Sequence, residues 1–168
     1  MASKYVVTAA HCMHDNGQPL PKSDVKVIIG DHNLVTKEET TIAEKTIGVA
    51  NISNHQNYTI NIDESYSNDI AVLELSEEVD INTYTPACMA QTSDTDTFTG
   101  KMAQVYGWGT VSTNGKLSDI LLEVSVPVVN NTHCATTMGQ IIEAGHICAG
   151  GEAGKDSCEV ILTKSTDV

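Results

Sequence analysis

Positive charge is scarce in this chain of 168 residues: nine basic side chains stand against 22 acidic ones, a formal net charge of -13. Such an excess of acid repels phosphate backbones and anionic lipid surfaces, so neither a nucleic acid nor a membrane is expected as partner. Long apolar runs are also lacking. No stretch approaches the roughly 20 apolar residues that a spanning helix needs. Met1-Ala2-Ser3-Lys4 leads straight into a strand-like pattern without the apolar region of a signal peptide, so the literal reading is cytosolic. Helix-length periodicity is sparse, and nothing repeats or is of low complexity. What remains, 40% apolar and 18% charged residues, suits one ordinary globular domain with a core of its own.

The segments that are present are short and β-branched: Lys4 to Thr8, Val25 to Gly30, Thr40 to Ala50, Ile70 to Leu75, Met102 to Tyr106 and Leu121 to Val129. Turn residues separate them, among them Asn16-Gly17, Asp31-His32-Asn33, Ser67-Asn68-Asp69 and Asn114-Gly115. This spacing predicts an all-β sandwich or barrel. One or two helical turns are expected from Asn130 to Met138, with Asn131 or Thr132 as cap. The polar stretch from Gln91 to Gly100 is suited to a connector between two halves.

Cys12, Cys88, Cys134, Cys148 and Cys158 make five, an odd number that implies a missing partner or a free thiol. Their spacings fit neither zinc nor redox motifs. Asn51-Ile52-Ser53, Asn57-Tyr58-Thr59 and Asn130-Asn131-Thr132 are acceptor sequences for N-glycosylation and suit a secreted protein.

Four motifs in fixed order carry more. Thr8-Ala9-Ala10-His11-Cys12, Asn68-Asp69-Ile70-Ala71-Val72-Leu73, Gly107-Trp108-Gly109, and Ile147-Cys148-Ala149-Gly150-Gly151 with Lys155-Asp156-Ser157-Cys158 together resemble the chymotrypsin/trypsin-like serine peptidases, a trypsin-like member. The resemblance implies a double Greek-key β-barrel, with one barrel to about Tyr84, a connector over 85–100 and the second barrel from about Lys101 to the end. By family comparison both barrels are incomplete, and open strand edges invite aggregation. The resemblance also assigns His11 as general base and Asp69 as the carboxylate that fixes its tautomer; this family is the worked case of that chemistry. Asp156 falls at the floor of the pocket that receives an Arg or Lys side chain, so protein or peptide substrates cut after basic residues are implied.

The likeness stops after Cys158. The family continues with a Gly-Asp-Ser-Gly-Gly loop, whereas this chain reads Glu159-Val160-Ile161-Leu162-Thr163-Lys164, with Leu162 at the nucleophile's position. Without a serine on a tight Gly-flanked turn, turnover falls roughly a million-fold, about 8 kcal/mol of transition-state stabilisation. Ile161 likewise stands where the activation switch needs an aspartate. Among the cysteines, the resemblance pairs Cys134 with Cys148, leaves Cys12 and Cys158 without partners in this sequence, and makes Cys88 the tether to a missing pro-segment or light chain. Bridges persist in oxidising compartments, so an extracellular protein is implied, its export signal missing. No metal is expected at His11, Cys12 and His14. The acidic loop from Asp31 through Glu38 and Glu39 resembles a calcium loop, but Thr41 replaces an expected carboxylate, so a solvated loop without cofactor is the reading. Three accounts then stand side by side: an inactive trypsin-like endopeptidase domain, a non-catalytic binding module, and a product of an incomplete gene model or alternative transcript without function of its own.

Overall fold

A computed structural model describes residues 4–36, 42–61, 65–89, 97–110, 115–139, 142 and 145–152. Asp156, Ser157, Cys158, Ile161 and Leu162 lie outside the described residues, as do Glu38, Glu39 and Thr41 of the acidic loop. The described residues form two compact units, one holding those up to Asp31 and from Thr36 to Met89, the other His32–Val35 and those from 97 onward.

In the first unit, alternation of apolar and polar residues builds a four-stranded antiparallel sheet. Its strands are β1 (Tyr5–Thr8), β4 (Lys26–Ile29), β5 (Lys45–Asn54) and β8 (Ala71–Leu75), in the order β1-β8-β5-β4. Two small hairpin pairs accompany it, β2 (His14–Asp15) with β3 (Gln18–Pro19), and β6 (Thr59–Ile60) with β7 (Tyr66–Ser67). Because side chains alternate across a strand, Ala71, Leu73 and Leu75 all face inward, none more than 3% exposed. With Ala10, Met13 and Val49, Ala71 and Leu73 form the core, and Val6, Val25, Val27 and Ile52 pack on it. Burial of a side chain such as Leu73 contributes about 1.5–3 kcal/mol.

The second unit carries an antiparallel sheet of β9 (Met102–Gly107), β10 (Leu122–Val129) and β11 (Cys148–Ala149), in the order β11-β10-β9. Val126 and Val128 of β10 are its buried side chains in the strands. Helix α1 (Asn131–Met138) follows β10 directly. Trp108 of the Gly-Trp-Gly turn donates its indole N–H to the His32 carbonyl at 3.2 Å within this unit.

Three expectations change. The strand read from Thr40 to Ala50 is observed from Lys45 and runs on to Asn54, because polar Asn51 and Ser53 face outward while still pairing with Glu74 and Val72 of β8. A bulge between Val49 and Asn51 shifts the register by one residue, as an extra residue in one strand does. Val25 is not in β4, since its N–H closes a 3₁₀ turn on Lys22. The cap of α1 is Asn130 rather than Asn131 or Thr132: Asn130 accepts from the Thr132 N–H at 2.8 Å, while Asn131 donates to the His146 carbonyl. Gly139, at φ 67°, ends the helix in the left-handed region where a Cβ is penalised. Gly30 (φ 80°) after β4 is fixed more tightly, as a Cβ there would lie 2.9 Å from the Tyr84 ring and 3.0 Å from the Ala43 carbonyl.

Candidate active site

His11 opens a 3₁₀ turn, His11–Met13, that follows β1. The start of such a turn leaves a backbone N–H without an internal partner. Here the Asp69 carboxylate accepts it, with His11 N–H to Asp69 Oδ1 at 2.8 Å. The second oxygen of the same carboxylate lies 2.6 Å from the ring, at Nδ1. One side chain therefore fixes both the backbone and the imidazole of a residue 58 positions away. An ionised carboxylate only accepts, so this contact favours the neutral tautomer with its proton on Nδ1 and the lone pair on Nε2. Asp69 is the more sheltered partner, its side chain 19% exposed against 43% for His11.

The chain brings Asp69 there by a local bend. Asn68 sits at φ 53°, a left-handed conformation that Asn tolerates better than most side chains. The Ile70 N–H donates to the Asn68 carbonyl at 2.8 Å, and the Asn68 carboxamide donates to the Asn57 carbonyl at 3.1 Å. Asp69 is thus turned out of the line of β8, whose pairing begins two residues later at Ala71.

Two neighbours of this pair, Tyr66 and Tyr58, were given no site role in the sequence reading. Tyr66 stacks on the His11 ring, centroids 5.0 Å apart and planes 18° from parallel. Tyr58 stacks in turn on Tyr66 at 6.3 Å, and His14 lies against Tyr58 at 5.2 Å. Tyr66 stands three residues before Asp69, and a strand reading of Tyr66-Ser67 would have been the one available clue. Cys12, the residue after His11 in the motif, places its Sγ 3.2 Å from His11 Nε2. Burial first, and the charge of Asp69 second, push the Cys12 thiol pKa up. The same two causes, burial leading, raise that of the Tyr58 phenol, with Tyr66 and Cys12 adding to them.

The His14 Nδ1–H donates to the Ala10 carbonyl at 2.8 Å, while Asp69 takes Nδ1 of His11. Among the described residues no group of three or more His, Cys, Asp or Glu is arranged to hold a metal ion. In the second unit Cys134, buried on α1, is bonded to Cys148 of β11. Cys12 is half-buried and Cys88 exposed, and both are free thiols among the described residues.

The Trypsin family model matches residues 1–159. Coagulation factor IX of Cavia porcellus is 36% identical over 93% of this chain and 52% of its own length. CLIP domain-containing serine protease HP8 of Bombyx mori is 34% identical over 94% of this chain and 45% of its own, and phenoloxidase-activating factor 1 of Holotrichia diomphalia is 32% identical over 93% and 45%. The chain spans about half the length of the curated relatives it matches. The predominance of strands, with a single helix among the described residues, is that of the all-β chymotrypsin-like fold. With the motifs in order and the match running through nearly the whole sequence, the chain belongs to the trypsin family of serine peptidases.

Proposed function

We propose that this chain is a trypsin-like serine endopeptidase domain in which His11 is the general base and Asp69 its orienting carboxylate, and that as written it does not cleave peptide bonds. The observation that carries the first part is the double contact of Asp69 with His11, 2.8 Å to the backbone N–H and 2.6 Å to Nδ1. It leaves Nε2 as the nitrogen that takes a hydroxyl proton in triad chemistry. The second part rests on the sequence, since Leu162 stands where the attacking serine is expected. Asp156 is the carboxylate that would pair with an Arg or Lys of a protein substrate, which makes cleavage after basic residues the specificity of the parent enzyme. The free, exposed thiol of Cys88 supports its reading as a tether to a pro-segment or light chain. A disulfide between Cys134 and Cys148, together with similarity to coagulation and CLIP-domain proteases, supports an extracellular location.

The test is to offer the purified chain an Arg-containing amide substrate and a serine-directed fluorophosphonate. No hydrolysis above background and no adduct are expected. Cleavage that the fluorophosphonate blocks would overturn the inactivity. Restoring the Gly-Asp-Ser-Gly-Gly loop in the full-length protein should yield cleavage after basic residues, and Asp69→Asn should then lower turnover about 10⁴-fold by leaving the imidazole in the wrong tautomer. An unchanged turnover would remove Asp69 from its role.

A further inference from the structure

We propose that Asn57 is a site of N-linked glycosylation, placing an oligosaccharide beside the His11–Asp69 pair. This rests on the reading that the protein enters the secretory route. Three acceptor sequences occur in the chain, and all three asparagines are exposed, but their carboxamides differ. Asn51 lies within β5 and donates its Nδ2 to Ser53, the hydroxyl residue of its own acceptor sequence, at 3.2 Å. The Asn130 oxygen caps α1. Asn57 sits in a turn closed by the Tyr58 N–H on the His55 carbonyl at 2.9 Å, and only its backbone is engaged: its N–H donates to His55 Nδ1, and its carbonyl accepts from Asn68 and Thr59. Among the described residues its carboxamide makes no hydrogen bond, so a sugar on Nδ2 displaces nothing in the fold.

The place is specific. Asn68, which donates to Asn57, is the residue before Asp69, and Tyr58, which follows Asn57, stacks on the Tyr66 ring that covers His11. A glycan here flanks the candidate site. The transfer requires a lipid-pyrophosphate-linked oligosaccharide as co-reactant: the bond from sugar C1 to the phosphate oxygen breaks, the bond from C1 to Nδ2 forms, the lipid pyrophosphate leaves, and one amide proton is released. One N–H remains on the nitrogen.

The full chain, expressed behind a cleavable export signal in cultured animal cells, is recovered from both lysate and medium and treated with peptide N-glycosidase in heavy-oxygen water. Transfer occurs as the chain enters the lumen, so the lysate reports even if folding fails. The expected result is heavy aspartate at position 57, lost in Asn57→Gln and retained at Asn57 in Asn51→Gln and Asn130→Gln. An exported chain bare at Asn57, whether or not the other two sites carry sugar, overturns the proposal. Finding the natural product only in the cytosol overturns the secretory reading and, with it, the glycan in the cell; the exported chain separates the two failures.

Discussion

Cys12 shows what a neighbour does to a reactive side chain. Thiolate, not thiol, is the nucleophile, and burial followed by the charge of Asp69 holds Cys12 in its protonated form. At pH 8 iodoacetamide should therefore label exposed Cys88 well ahead of half-buried Cys12, and Asp69→Asn should speed Cys12 by removing one of the two causes; equal rates by peptide mass analysis would contradict this. Because the folded thiol titrates above its unfolded value, its contribution to stability is complete below the unfolded pKa and is lost as pH rises through the folded one, on the alkaline side. Asp80 behaves oppositely. The Thr83 hydroxyl, then the Asn82 backbone N–H, hold its carboxyl pKa below the usual range. Its contribution is present above the unfolded pKa and lost as pH falls through the folded value, so a carbon-detected titration of Asp80 should show its midpoint displaced to the acid side. The wording around them singled out His11 and Asp69 as candidates, whereas the Tyr66 stack and the thiol contact at Nε2 depend on rotamers that only packing selects.

At the scale of elements, α1 is held by two devices of different legibility. The bridge from Cys134 to Cys148, implied by the family resemblance, joins the helix to β11 across 14 residues of sequence. Closing a loop of that size is worth about 3 kcal/mol through the unfolded chain. Replacing both cysteines by serine should lower the urea midpoint of the second unit accordingly, and an unshifted midpoint would mean the clip is idle. The cap was misread by one or two residues, since Asn130, Asn131 and Thr132 are all capping types and propensity does not rank neighbours. Asn130→Ala should cost about 1 kcal/mol, measured in the same denaturation. Asn131→Ala tests instead the bond to His146. The extension of β5 to Asn54 has a related lesson: polar residues left outside a strand on local pattern continue it when a partner strand supplies the hydrogen bonds.

For the whole molecule, charge sets the company it keeps. At a net -13 the chain should neither sediment with phosphatidylserine vesicles nor be retained on double-stranded DNA at about 0.15 M salt, where screening reaches about 8 Å. Retention on either would reverse the reading of its partners. The described residues fall into two compact units, and the inclusion of His32–Val35 in the second was not foreseen. That segment is bound there by the Leu34 N–H to Asp119, the Leu121 N–H to His32, and a bridge between Asn33 and Ile120.

By itself the sequence determined the acidity, the strand-rich character and the ordered motifs of the family, since each is a property of composition or of a few consecutive residues. Tertiary structure decided which groups meet. The Asp69 carboxylate reaches His11 across 58 residues because Asn68 bends the chain ahead of β8 and β8 pairs with β1, from which the His11 turn departs. Local pattern speaks for the next turn or strand face, and a hydrogen bond between distant residues exists only once the intervening strands have packed.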